Sequence, residues 1–242
     1  MFRHKGKRRT HKHNLRLAAM LSFVAGIVNI TGVLSFKILT TNVTGHFAFF
    51  SEELFKKNYI IALTFLIFIF TFLFGAFVSN LIIETVSRKH VNRSHIVPMI
   101  IEILVLSIAA FGGHNLAQHV NSNLIPCLLL FAMGLQNSMV TKISDSVVRT
   151  THLTGLFTDL GIELSQLIIH RKTYEFNKIS KKVNLRIAII SSFFFGCIIG
   201  GFAFKFIGEN ALFVASVFLL FALFYDNIRY MIFRIRRSPN FS

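Results

Sequence analysis

The chain has 242 residues, 53% of them apolar and 29 of them phenylalanine, with 15% charged and a mean hydropathy of +0.62. A soluble domain carries about a quarter charged residues, and disorder needs low hydrophobicity with high charge, so both classes are excluded. The formal net charge of +16 does not point to nucleic acid, because the basic residues flank apolar runs instead of forming one polar face.

At about 20 residues per crossing, the chain has room for about six transmembrane helices. The apolar segments are Leu15–Phe36, Tyr59–Ile83, Ile96–Gly112, Leu124–Val140, Ile187–Phe206 and Ala211–Phe233. Cys127 and Cys197 both lie inside such segments, so neither a disulfide framework nor a metal site is implied. Lysine and arginine are dense in the tail before the first segment, in the loop after the second, in the long loop after the fourth and at the C-terminus. The remaining loops carry only Lys37, Lys56, Lys57 and Lys205. By the positive-inside rule, both termini are cytoplasmic. Residues 1–14 read as a basic cytoplasmic tail touching anionic lipid. The expected units are a first membrane repeat at 15–122, a second at 123–235, and a cytoplasmic tail at 236–242.

The repeat rests on polar residues. Thr40-Thr41-Asn42-Val43-Thr44-Gly45-His46-Phe47 aligns with Thr150-Thr151-His152-Leu153-Thr154-Gly155-Leu156-Phe157, and Glu53-Leu54 follows in register with Glu163-Leu164. Upstream, Phe23, Gly26 and Asn29 match Phe131, Gly134 and Asn137; downstream, Phe74-Gly75 resembles Phe195-Gly196. Each half is then three spans plus one short segment. Three is odd, so the second half enters the membrane inverted, as the lysine and arginine distribution requires independently. The expected fold class is an all-α polytopic membrane protein of two inverted three-helix repeats. Inverted repeats are a recurring transporter architecture, with the site near the midplane between them.

The Thr-Gly segments each open a short helix, where threonine can cap free N–H groups and glycine eases an irregular entry. In the second copy Asp159, Glu163, Gln166 and His170 form one polar stripe opposite Phe157, Leu160, Leu164 and Leu167. Such a helix is either interfacial, with its acids in water, or re-entrant, with its N–H groups toward an anionic substrate group. Asn29, Gln136 and Asn137 are amides within apolar surroundings, suited to joining helices or lining a path. Glu102 sits in mid-span, where a carboxylate is costly, and is the candidate proton-coupling residue. Asp226, three residues from Arg229, reads as interfacial. Gly196 with Gly200-Gly201 reads as a close helix-packing face. The ten histidines are scattered without metal-ligand spacing, and no nucleotide or nucleophile-elbow motif occurs, so no metal or cofactor is expected.

Gly26…Asn29, Asn42-Val43-Thr44-Gly45, Ala132-Met133-Gly134-Leu135-Gln136-Asn137 and Arg149-Thr150-Thr151-His152-Leu153-Thr154-Gly155 with Thr158-Asp159-Leu160-Gly161 resemble the YoaK-like family of bacterial integral membrane proteins (domain of unknown function 1275). That family carries A-M-G-x-Q-N and R-T-T-H-x-T-G-x-x-T-D-x-G. Where it usually shows T-G-N in the first half, this chain has Thr44-Gly45-His46. The resemblance implies about six spans and a bacterial inner-membrane location, and no particular activity.

The leading expectation is a small-molecule secondary transporter, proton-coupled through Glu102, with its site between the halves. Its candidate binding residues are Asn29, Thr44, Gly45, Gln136, Asn137, Arg149, Thr150, His152, Thr154, Gly155, Asp159 and Glu163. Arg149 and His152 beside a helix N-terminus would suit an anionic group. The expected partners are membrane lipid, a small molecule and, as a further candidate, a second copy of the chain. The alternatives are a membrane-embedded enzyme using His152 with Asp159, and a non-transporting scaffold or sensor.

Overall fold

The computed structural model describes residues 10–89, 94–116, 123–171 and 174–237. Most of the basic tail, the loop residues 117–122, and the side chains of Asp226 and Arg229 lie outside the described residues. All regular structure within them is helical: α1 (His11–Phe36), α2 (Val43–Phe55), α3 (Tyr59–Lys89), α4 (Ile96–Leu116), α5 (Leu124–Ser144), α6 (Leu153–Ile169), α7 (Phe176–Ile207) and α8 (Ala211–Arg237). Four stretches are long and apolar enough to cross a membrane: His11–Phe36, Tyr59–Arg88, Leu124–Ser144 and Phe176–Tyr225. The last is divided by a 3-10 turn at Gly208–Asn210 into α7 and α8, and Ile96–Gly112 is a shorter apolar helix.

Two helices begin earlier than their apolar runs. Thr10 caps α1, its hydroxyl accepting from the His13 N–H at 3.4 Å, which starts the helix at His11. Helix α7 starts at Phe176 because its first turns are amphipathic, burying Ile179 and Val183 beneath exposed Lys178, Lys181 and Lys182. Hydropathy alone counts only the uninterrupted run further on.

The outer faces of α3, α4, α7 and α8 leave large apolar side chains exposed, among them Ile60, Phe70, Phe111, Phe202 and Phe221. Faces like these suit hydrocarbon and not water. The chain is a helical protein of membrane type.

Its closest helix pairs run between the expected halves. Helix α1 lies along α7 and α3 along α5, while α4 packs on α5 and α8, and α8 also on α1. The two main crossings share one device. Gly26 of α1 faces the Phe193 backbone and Gly196 of α7 faces the Phe23 backbone, so a Cβ at either glycine would run into a carbonyl oxygen. On the other pair, Gly75 of α3 meets Phe131 of α5, and Gly134 of α5 meets Phe72 of α3. A Phe-x-x-Gly element therefore occurs four times and packs reciprocally in two pairs, each backbone resting in the notch that the other's glycine leaves. In lipid, where apolar burial gives little drive to helix association, such close approach supplies the van der Waals contact. Gly200 extends the α1–α7 seam against Ile27 and Ile30. The segments 15–122 and 123–235 thus interdigitate.

Candidate functional site

The polar centre is built by two chain reversals. Helix α1 ends at Lys37, which is left-handed (φ 57°), and the Ile38 N–H donates to the Gly32 carbonyl at 3.2 Å. The chain then runs back along the helix it has just left. Thr40 is fully buried against Gly32, and the Thr41 hydroxyl donates to Asn29 Oδ1 at 3.0 Å. Asn29 lies seven residues before Phe36, so at 1.5 Å per residue the return reaches about 10 Å down the helix before α2 begins.

Helix α5 is reversed in the same manner. Asp145 and Ser146 are both left-handed (φ 56° and 61°), and the Ser144 hydroxyl accepts from the Val148 N–H at 3.0 Å. The Thr151 hydroxyl donates to Asn137 Oδ1 at 2.7 Å, with Thr150 at 3.4 Å. Helix α6 then starts. The threonines expected to cap, Thr44 and Thr154, sit two residues past the cap positions. Asn42 caps α2, accepting from the Gly45 N–H at 3.1 Å, and His152 occupies the α6 cap position without a side-chain cap bond. The duplicated Thr41 and Thr151 instead clamp each return segment to the asparagine of the preceding helix. That role is legible only in the repeat of Thr-Thr itself.

Both reversals open onto one cavity of about 1330 Å³. From the first it receives Asn29, Thr41, Asn42, Thr44 and Gly45; from the second, Asn137, Thr151, His152, Thr154 and Gly155. Phe72 and Phe193 of the two crossings also reach it, as do Asn80, Ser138, Thr141, Lys142, Asp145 and Arg149. Its polar lining is mostly amide and hydroxyl, set among apolar Leu39, Val43, Ala48, Ala76 and Leu153. Its ionic groups, Lys142, Asp145 and Arg149, all come from the second half, and Lys142 is ion-paired with Glu84 of α3.

Eight of the candidate residues meet at this cavity: Asn29, Thr44, Gly45, Asn137, Arg149, His152, Thr154 and Gly155. The others do not line it. Gln136 is buried and donates to the Leu21 carbonyl at 3.0 Å, fastening α5 to α1. Thr150 is buried behind Asn137. Glu163 makes a two-point hydrogen bond with Arg186 of α7, Nε to Oε2 and Nη2 to Oε1, each at 3.1 Å. Asp159 Oδ2 lies 3.0 Å from the same guanidinium. The stripe of acids is thus turned to a single arginine that lies just before the apolar run of α7. Glu102 is wholly buried on α4, lines neither described cavity, and has no hydrogen-bond partner for either oxygen among the described residues. The departure at His46 has a packing cause. Its ring is buried against Phe65 and Phe68, and its Nε2 donates to the Leu39 carbonyl at 2.8 Å.

A second, smaller cavity of about 330 Å³ lies between the start of α6 and α7, lined by Ser146, Arg149, His152, Gly155, Asp159, Lys182 and Arg186 among others. It adjoins the first, since Ser146, Arg149, His152 and Gly155 line both. Among the described residues, no group of three or more His, Cys, Asp or Glu side chains is placed to hold a metal ion.

The model of the family described as "Protein of unknown function (DUF1275)" matches residues 17–225. The chain belongs to that family. No curated protein and no solved structure matches it. The family match spans both reversals, both crossings and all the cavity-lining residues named above.

Proposed function

We propose that the chain is a secondary transporter of a small polar molecule, built from two inverted-topology repeats that enclose a single site. The observation that carries this reading is that two Thr-Gly segments far apart in the sequence open onto one cavity, each tied by threonine to its own asparagine. Further support comes from the helix pairing, in which α1 with α7 mirrors α5 with α3, and α2 on α3 mirrors α6 on α7. Two short helices starting part-way down their predecessors are the re-entrant form of the segment, tolerated at membrane depth where backbone lines a cavity. The lysine and arginine distribution favours cytoplasmic termini, and the family resemblance favours the bacterial inner membrane. Amide and hydroxyl lining suits a ligand rich in hydrogen-bonding groups. Glu102 is proposed as a proton site acting away from the cavity. The enzyme reading is less well supported, because Asp159 is engaged by Arg186 and not by His152.

Two measurements test this together. In a chain with Cys127 and Cys197 replaced, Lys57→Cys should react with a membrane-impermeant thiol reagent on intact cells, and Arg171→Cys only after lysis. Labelling of both from one side would remove the inverted architecture. Proteoliposomes should accumulate one member of a labelled metabolite panel, and Asn29→Ala or Asn137→Ala should each abolish that uptake. Turnover without accumulation would favour an enzyme. Neither would favour a scaffold.

A further inference from the structure

The smaller cavity beside α6 brings in Lys182 and Arg186, two cations that the transport reading does not use. Three cations meet there: Arg149 from the α5–α6 connection, and Lys182 and Arg186 from α7. Arg186 is already committed, held by Glu163 at 3.1 Å and Asp159 at 3.0 Å. Those two carboxylates therefore turn their charge toward Arg186. Among the described residues, Arg149 and Lys182 form no ion pair, and both are exposed. The His152 ring, the Ser146 hydroxyl and Gly155 in the first turn of α6 also line it, beside apolar Val147, Leu156 and Leu185. A Cβ at Gly155 would meet no atom within 4 Å, so the space above this turn is open.

We propose that this cavity binds a phosphate group. A guanidinium from the α5–α6 connection and an ammonium from α7, lining one cavity, suit a tetrahedral dianion by charge-assisted hydrogen bonds. The first turn of α6 adds its positive dipole end to the same place. Asp159 is the one carboxylate on the wall, and its engagement by Arg186 offsets its repulsion of an anion. A volume of about 330 Å³ holds a phosphate with a small substituent, at the lower limit of ligand pockets. The phosphate can come free in solution or as the headgroup of a phospholipid. Exposed Val147 and Phe157 nearby would lie along an acyl chain. Occupancy would act on the larger cavity directly, because Ser146, Arg149, His152 and Gly155 line both.

The test uses the full chain in non-ionic detergent and follows its thermal unfolding midpoint. One arm titrates inorganic phosphate against sodium chloride at equal ionic strength. A second titrates short-chain phosphatidic acid against the matching diacylglycerol. A saturable rise in the first arm identifies a free anion, and a rise in the second arm alone identifies a headgroup. In either case Arg149→Gln and Lys182→Gln should each weaken the apparent affinity about tenfold. Lys56→Gln, at the end of α2 and lining neither cavity, should leave it unchanged. Lys182 is exposed on α7 and lines only the smaller cavity, so its variant separates loss of this site from misfolding and from loss of transport. A rise no larger than that with chloride and diacylglycerol, or wild-type affinity in Lys182→Gln, overturns the proposal.

Discussion

Helices α2 and α6 hold corresponding places against α3 and α7, yet they are fastened by opposite chemistry. On α2, His46 packs edge-on to Phe68 at 5.7 Å between ring centroids, and Phe49 lies 5.3 Å from Phe65. On α6, Asp159 and Glu163 converge on Arg186. The positions coincide. Phe49 and Asp159 each lie four residues after the glycine of their Thr-Gly segment, and Phe65 and Arg186 each lie seven before the phenylalanine of their Phe-x-x-Gly. An aromatic pair in one half thus occupies the place of an ion pair in the other. What the halves have in common is the backbone crossing and the asparagine–threonine clamp. The filler between short and long helix is free to differ. Charge can be screened or displaced by an anion, whereas the Phe49–Phe65 contact responds to neither. The α6 side is therefore the one a solute can loosen.

The largest effect should come from the part the halves share. Gly26→Val and Gly134→Val each place side-chain atoms against a backbone carbonyl, with an expected loss of about 3 kcal/mol each. Both should appear as early thermal dispersal of the monodisperse peak in detergent. A large loss for only one would show that one crossing dominates. Next comes Glu163→Gln, which leaves Arg186 with Asp159 alone at a site where the Glu163 side chain is 7% exposed. About 2 kcal/mol should be lost, read as faster hydrogen exchange in α6 but not in α2. Phe65→Leu, the counterpart on α3, should loosen α2 by about 1 kcal/mol and leave α6 unchanged. Raising salt should speed exchange in α6, and in α2 only in its last turn, where exposed Lys56 pairs with Glu52 and Glu53.

The smallest effect concerns the turn that joins α2 to α3. Hydrogen bonds from Asn58 (2.8 Å) and Lys56 (3.1 Å) hold the Glu53 carboxyl below its ordinary value of 4.5. A depressed carboxylate stabilises the fold above its unfolded value and loses that contribution as pH falls through the folded one. The turn should therefore be unchanged from pH 7 to 5 and loosen only as pH falls below that ordinary value. Its exposure makes the change visible in local exchange and not in the global unfolding midpoint.

Asn29, Asn137 and both Thr-Gly pairs can be found in the sequence because polar residues that recur at a fixed offset stand out against an apolar chain. Their convergence on one cavity cannot. It depends on α1 meeting α7 and on the backward return of each segment, and neither is a local property. The same blindness applies to Gln136 and Glu163. Amide and acid are visible, but their partners, the Leu21 carbonyl and Arg186, are 115 and 23 residues away. The four Phe-x-x-Gly elements are half visible: Phe23 with Gly26 and Phe131 with Gly134 are read correctly, while Phe74-Gly75 and Phe195-Gly196 fall two residues from the phenylalanines whose backbones touch. Phenylalanine is so abundant here that composition hides which ring carries the contact. Lys142 and Asp145 draw no reading of their own in the sequence, because the end of α5 gives no sign that it borders a cavity.

The reciprocal crossings also set a timetable for biosynthesis. Helices α3 and α5 are separated by little more than α4, so their seam can close while the chain is still emerging. Helix α1 has to wait for α7, and the Gly26–Cys197 contact spans 171 residues. At about 5–20 residues per second, α1 stays without its main partner for roughly 10–30 seconds, its glycine notch facing lipid. The fold is then assembled from the inside outward, with the first helix made among the last to be seated.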